Sequence, residues 1–330
     1  MSEILLINKS ELAKCVPLDT GAIDCVENAF RILAGGEVIM PPILQLVMED
    51  NDAEVCVKTA FLPGVESFAI KISPGFFNNY KYGLPSGSGM MNLFNSQTGI
   101  LEAVLLDQGY LTDVRTAAAG AVAARWLARD NASRVAVIGA GVQAELQLKA
   151  IALVRDIEGA TVWARDPAKA DAFAVRLSAD LQIPVEPHST ISETVSGADI
   201  IVTTTPASEA LVSFTDLVPG QTVIAMGSDS ERKFELDPAM IPKVDRYICD
   251  SLAQVRILGE LHHAIDQGFV NEDTDFDELG DVVAGKCSGR VGDTEIIICD
   301  LTGTGAQDTA IATMARSRAL HADLGSRISS

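Results

Sequence analysis

The run Gly139-Ala140-Gly141-Val142-Gln143-Ala144 is the first place where residue type and spacing suggest chemistry. It joins an apolar strand candidate, 134–138, to a stretch with helical spacing. Two glycines one residue apart at such a turn bring backbone N–H groups and a helix dipole against a pyrophosphate. Gly139 permits the turn, Gly141 lets the backbone approach phosphate, and Ala144 takes the small position where helix meets strand. A tight turn without any ligand has the same spacing, but the flanking strand and helix favour the nucleotide.

Other candidates are single residues. Lys71 lies in Ala69-Ile70-Lys71-Ile72-Ser73, and an ammonium inside an apolar strand is costly unless it reaches water or a partner. Lys58, in Val57-Lys58-Thr59, competes with it on equal terms. Arg115 shares a helical stripe with Ala118, Val122 and Trp126, so its guanidinium needs an anion: a ligand carboxylate or a protein Asp or Glu. Asp229 follows an apolar strand candidate, 222–226, and Gly227-Ser228. It stands where open α/β sheets bind ligands, free to move protons or to cap a helix. The second strand of the nucleotide unit ends Trp163-Ala164-Arg165-Asp166. An acid there favours NAD and an arginine NADP, so the pair leaves both open and Arg165 tilts towards NADP. Thr302-Gly303-Thr304-Gly305 is either a close backbone approach to a ligand or a turn and cap. The four histidines show no metal-ligand spacing, and no serine–histidine–acid set can be assembled.

These residues must be positioned by two kinds of architecture. Residues 134–226 alternate strand and helix, which means a parallel sheet wound on both faces. Strands are expected at 134–138, 160–163, 183–185, 199–204 and 222–226, with extensions at 244–249 and 295–299. Helices are expected at 144–154, 167–179 and 191–195. Before this, a helix over 17–33 precedes strand candidates 43–48, 54–61, 68–73, 89–94 and 101–106. Pro-Gly and Thr-Gly turns separate them, as in an antiparallel meander. Thr112 caps an expected small-residue helix to about 129, and a last helix covers 306–324.

The chain has 330 residues, 48% hydrophobic and 21% charged, the composition of a globular protein. Its net charge of −20 argues against a nucleic-acid or anionic-membrane partner. Six scattered cysteines without C-x-x-C suggest reduced packing residues. No apolar run reaches membrane-spanning length. A cytoplasmic protein is expected, with no metal site.

Several stretches together resemble the ornithine cyclodeaminase/μ-crystallin family. They are Lys71-Ile-Ser-Pro-Gly-Phe-Phe-Asn78, Leu111-Thr-Asp-Val-Arg115-Thr-Ala-Ala-Ala119, Ile138-Gly-Ala-Gly-Val-Gln143 and Met226-Gly-Ser-Asp229 through Glu235-Leu236. Glu278-Leu279-Gly280 and Asp300-Leu-Thr-Gly-Thr-Gly-Ala-Gln-Asp308 complete the set. The likeness is nearest to the cyclodeaminase-like proteins of ectoine utilisation. It implies a homodimer with a Rossmann-type dinucleotide domain, residues 116–305, and a discontinuous α+β dimerisation and substrate domain with a mainly antiparallel sheet, residues 1–115 and 306–330. It implies that Lys71 and Arg115 hold the α-carboxylate of a small amino or imino acid, with Asp229 and Lys71 at the chemistry. NAD(P) would contact Gly139–Gln143, Arg165, Thr204, Met226, Gly227, Ser228, Thr302 and Gly303, with Thr302 also near substrate. The implied reaction is hydride transfer at Cα followed by cyclisation with loss of ammonia. The alternatives are a net imine reductase or amino-acid dehydrogenase, and an NADP-dependent binding protein without turnover. In one respect the chain departs from the ornithine enzymes: Pro41-Pro42-Ile43-Leu44-Gln45 has no arginine where they carry a further carboxylate-binding one.

Overall fold

A computed structural model describes residues 3–329. The chain divides into two compact units, Met1–Arg115 with Thr304–Ser330, and Thr116–Gly303. The division falls inside the helix Tyr110–Leu127.

The first unit holds a seven-stranded sheet in the order Ser326–Ser329, Glu3–Asn8, Leu101–Leu106, Met90–Asn95, Ser67–Phe76, Ala53–Ala60, Leu44–Met48. Neighbours are antiparallel except Glu3–Asn8 beside Leu101–Leu106, which are parallel. Strand alternation sends Ser67, Ala69 and Lys71 to one face, together with Lys58 and Ala60 of the neighbouring strand. The helix Gly305–His321 covers that face. It can lie close because Gly305 stands against the backbone of Thr59, where a Cβ would collide with the carbonyl. Thr309 then fastens the helix to both strands: its hydroxyl donates to Ala60 O at 2.8 Å and accepts from Ala69 N at 3.0 Å. Ile7, Leu12, Met91, Leu93, Leu105 and Ile311 fill the core of this unit.

The second unit is an eight-stranded sheet, ordered Asp277–Glu278, Arg246–Cys249, Ile297–Asp300, Thr222–Ala225, Ile200–Thr203, Arg134–Ile138, Gly159–Trp163, Val185–Pro187. Every pairing in it is parallel. Its central strands Ile200–Thr203, Thr222–Ala225 and Ile297–Asp300 are buried throughout, as in a parallel sheet covered on both faces. Strand order reverses between Arg134–Ile138 and Ile200–Thr203, the switch point at which such sheets bind ligands. Among the described residues no helix is long and apolar enough to cross a membrane.

Local expectations needed correction where a cap or a distant partner overrides periodicity. The helix expected over 17–33 begins at Thr20, because Asp19 accepts Ala22 N at 2.7 Å. A separate helix, Lys9–Cys15, precedes it behind an Asn8–Glu11 capping box. Thr112 lies inside its helix and does not cap it; Leu111 N donates instead to the Asp107 carboxylate at 2.9 Å. The last helix ends at His321, and Ser326–Ser329 adds an edge strand that shows no periodic signal.

Candidate functional site

Lys71 and Arg115 meet on one carboxylate. Lys71 Nζ lies 2.9 Å from Asp308 Oδ2 and donates to Oδ1 at 3.0 Å, and Arg115 Nε donates to Oδ1 at 3.0 Å. All three side chains are buried. The anion that Arg115 needs is therefore at least in part the protein's own. A second guanidinium bond runs from Nη1 to Gln307 Oε1 at 3.2 Å. Two donors remain without a protein acceptor among the described residues: Gln307 Nε2, which is buried, and Arg115 Nη2. The amide orientation is settled by its oxygen, which accepts from Arg115; the reverse would set two donors face to face. Two adjacent donors and a surplus of positive charge suit an anionic acceptor.

Lys58 is buried as well, and its Cα is the direct cross-strand partner of Lys71. Like charges directly opposite on one face repel. Burial lowers the Lys71 pKa to about 7, against the pull of Asp308 and with the help of Arg115 and Lys58. Asp308 moves the other way: the three cations hold it below the usual carboxylate range despite complete burial. Burial raises the pKa of Asp107 despite the charge of Lys71, which lowers it. Gln45, at the position that lacks an arginine, bonds Glu54 at 2.8 Å.

The glycine turn lies in the second unit. Gly139 has φ +124°, and a Cβ there would stand 2.5 Å from Thr204 Oγ1. Its N–H donates to Trp163 O at 2.8 Å, which draws the turn over the strand ends. Gly141 serves differently: a Cβ would meet nothing within 4 Å, so that side of the turn is open to a ligand. Val142 begins an eleven-residue helix and is exposed, while Ala144 is fully buried against the sheet. An open turn, an exposed helix N-terminus and a switch-point location fit a dinucleotide pyrophosphate. Arg165 is exposed beyond the next strand, whereas Asp166 is committed to capping Pro167–Leu181 through Ala168 N at 3.1 Å.

Around the same strand ends lie carboxyls that periodicity does not reveal. Glu235 accepts Thr205 N at 2.5 Å and Gly227 N at 2.9 Å, joining two loops. Gly227 must be glycine, because a Cβ would strike the Glu235 carboxylate and Thr205 O. Burial pushes Glu235 up to about 7 against the pull of its hydrogen bonds from Thr205 and Gly227. Glu260 caps the backbone of Glu235 and Leu236 at 2.9 and 3.1 Å. Asp250 accepts Thr302 Oγ1 at 3.0 Å and Gly303 N at 2.7 Å, so the Thr302 hydroxyl is held within the protein. Gly303 has φ +79°, which makes this segment a turn. Asp229 is exposed and paired with Lys233 at 2.7 Å; Ser228 is buried and donates to Lys233 O.

This arrangement can be set beside known proteins. The family model described as "Ornithine cyclodeaminase/mu-crystallin family" matches residues 6–323. The chain belongs to that family. It is 54% identical to a putative dehydrogenase of Rhizobium meliloti over all of both chains, and 53% identical to an uncharacterized cyclodeaminase of Sinorhizobium fredii over 99% of each. Its identity to the iminosuccinate reductase of Paracoccus denitrificans is 33% over 94% of each chain. Among solved structures, Thermococcus litoralis Δ1-pyrroline-2-carboxylate reductase with NADH and L-proline superposes with TM-score 0.93 at 29% identity, covering 98% of this chain and all of the other. An archaeal alanine dehydrogenase dimer with bound NAD gives 0.92 at 32%, covering 99% of each. The iminosuccinate reductase with NAD+ gives 0.91 at 31%, covering 99% of this chain and all of the other. The α/β fold is that of these NAD-binding enzymes. Family members include NAD(P)-dependent cyclodeaminases, an alanine dehydrogenase and imine reductases.

Proposed function

We propose that this protein is a nicotinamide-dependent imine reductase or amino-acid dehydrogenase acting at the Cα–N bond of a small amino acid. One observation carries the reading. Lys71 and Arg115 share a single protein carboxylate, and Nη2 of Arg115 and the buried Nε2 of Gln307 have no acceptor among the described residues. A substrate α-carboxylate supplies both donors with oxygens and offsets the excess charge. The nicotinamide, when bound, supplies or accepts the hydride at Cα. Asp229 is assigned the proton that the nitrogen gains on reduction, a role its place beyond a strand end supports.

The glycine turn with the helix N-terminus at Val142 is assigned to the pyrophosphate. Thr204, Met226–Ser228 and Thr302–Gly303 are assigned to the nicotinamide side, and Thr302 also to substrate. Glu235 and Asp250 would keep those loops in place through their backbone bonds. Solved relatives named with NAD or NADH favour NAD, and exposed Arg165 favours NADP. The two-unit division at Arg115 and Gly303 supports a substrate domain and a dinucleotide domain. A homodimer is supported by the apolar edge strand Leu44–Met48, whose Leu44, Leu46 and Val47 are exposed.

A cyclodeaminase is the second reading, favoured by the name of the Sinorhizobium fredii relative. There the side-chain amine of a diamino acid attacks the imine carbon, ammonia leaves and the hydride returns. Absorbance of the reduced nicotinamide separates the two. Net consumption with a keto acid and ammonium supports the reductase. Cyclic amino acid formed from a diamino acid without net change supports the cyclodeaminase and overturns the first reading.

A further inference from the structure

We propose that Glu235, Glu260 and Asp300 form a buried negative field that favours the oxidised, positively charged nicotinamide over the reduced, neutral one. The inference rests on the assignment above of Thr204, Met226–Ser228 and Thr302–Gly303 to the nicotinamide side. It gives a role to acids that the hydride step itself does not use.

The three carboxyls form one chain of bonds within the second unit. Asp300 ends the strand Ile297–Asp300 and accepts from Glu260 N at 2.8 Å and from the Tyr247 hydroxyl. Glu260 accepts from Glu235 N and Leu236 N. Glu235 accepts from Thr205 N and Gly227 N. The remaining assigned segment rests on a further buried carboxyl, Asp250, through Thr302 Oγ1 and Gly303 N. Each segment assigned to the nicotinamide side is therefore bonded, or adjoins a residue that is bonded, to a buried acid.

Holding a loop requires an acceptor, not a charge; an amide oxygen would do it without burying an ionisable group. No cation faces the chain to offset that burial. Around Asp300 stand Tyr247, Cys249 and Asp250 of the neighbouring strand and its end, Cys299 of its own strand, and Glu260 of the helix Glu260–Asp266. Glu235 meets Glu260 and backbone or hydroxyl donors. His263, on the same helix as Glu260, turns instead to Lys233 O at 3.1 Å and to the Phe234 ring. Asp300 Oδ1 is buried with no hydrogen-bond partner among the described residues.

Acids buried together without a cation keep protons to higher pH: burial brings Glu235 and Asp300 to about 7 and lifts Glu260 further. A positive charge brought to the loops they hold favours their ionised forms and releases protons. The nicotinamide ring carries that charge only when oxidised. NAD+ affinity should therefore rise with pH through this range, relative to NADH affinity.

The test is titration calorimetry of NAD+ and NADH, with NADP+ and NADPH as the second pair, from pH 6 to 9 in buffers of different ionisation enthalpy. The expected Kd ratio, oxidised over reduced, falls at least tenfold across that range, and the oxidised form releases more protons on binding. Lys71 titrates in the same range, so the deciding comparison is among proteins that share it. Glu235→Gln keeps an acceptor oxygen and loses the charge; its ratio at pH 9 should be about tenfold above wild type. Tyr247→Phe touches none of the assigned segments but takes a donor from Asp300, so the pH at which the ratio changes should move up. Should Glu235→Gln misfold, Tyr247→Phe and the wild-type proton release decide. A ratio independent of pH, or a pH profile identical in wild type and both variants, overturns the inference and leaves the nicotinamide reading standing. A Glu235→Gln variant that binds both forms more weakly by the same factor does so too, since a mere prop for the loops acts on both alike. Binding of neither cofactor pair overturns the nicotinamide reading, and the inference with it.

Discussion

Replacing Asp308 with asparagine removes the one charge on which Lys71 and Arg115 both close. The side chain is wholly buried, so solvent cannot take over. Removing one partner of a buried ion pair costs about 3–5 kcal/mol, because the remaining charge is stranded. The loss should depend on pH in a definite direction. Lys71 titrates at about 7 in the folded protein, and Asp308 is one of the groups holding it that high. In Asp308→Asn the lysine therefore gives up its proton at still lower pH, and above pH 7 it is neutral in both proteins. The variant thus binds fewer protons than wild type on the acid side of 7, so the stability gap shrinks as pH rises through that range. It also narrows in strong acid, since Asp308, depressed below 3.8, contributes its stabilisation only above that region. The assay is urea unfolding at pH 6 and pH 9, followed by circular dichroism and fitted for two transitions because the chain has two compact units. The expected gap is about 3–5 kcal/mol at pH 6 and clearly smaller at pH 9, with partial recovery at pH 6 when acetate is added. A gap under about 0.5 kcal/mol at pH 6, within the range of ordinary surface changes, would refute the shared-charge account of this cluster.

Three further outcomes follow from particular contacts. Affinity of a carboxylate ligand should weaken by up to about tenfold per pH unit above 7 as Lys71 loses its proton, and Lys71→Arg should flatten that profile; titration calorimetry across pH 6–9 reads it. Gly227→Ala should cost about 1–3 kcal/mol and weaken cofactor binding, because the new methyl strikes Glu235 and the Thr205 backbone; thermal unfolding and fluorescence titration with NADH measure the two effects. Arg165→Ala should weaken NADP(H) binding about tenfold relative to NAD(H), and an unchanged ratio removes Arg165 from cofactor selection.

Legibility in the sequence followed the range of the physics involved. Most of the parallel sheet could be read because its central strands announce themselves locally: Arg134–Ile138 is buried after its first residue and Thr222–Ala225 throughout, whereas the edge strand Asp277–Glu278 carries no apolar signal. Gly139 and Gly141 could be read for the same reason, since a turn is made of adjacent residues. Asp308 could not, because nothing near it in sequence shows that it meets Lys71 and Arg115, 237 and 193 residues away. The choice left open for Arg115, ligand or protein acid, was unresolved on the same ground. Glu235 and Asp250 look like loop acids until their backbone donors come into view. Thr112 was misread because a threonine beside a helix start is a good cap on average, whereas here Asp107 reaches the first turn ahead of it.

The choice between displacement and addition at the cation cluster turns on hydrogen-bond count. Arg115 spends Nε on Asp308 and Nη1 on Gln307, which leaves Nη2. Gln307, fixed by the bond it accepts, turns its own N–H group towards no acceptor among the described residues. A ligand carboxylate therefore need not expel Asp308; it arrives as a second anion on donors that Asp308 does not use. Its arrival adds negative charge beside Lys71, and that charge raises a pKa which burial, Arg115 and Lys58 had brought down to about 7. Binding above pH 7 must then take up a proton. Calorimetry in buffers of different ionisation enthalpy reads it directly: proton uptake with propionate at pH 8 is the expected result, and negligible uptake would mean that Lys71 keeps one charge state throughout.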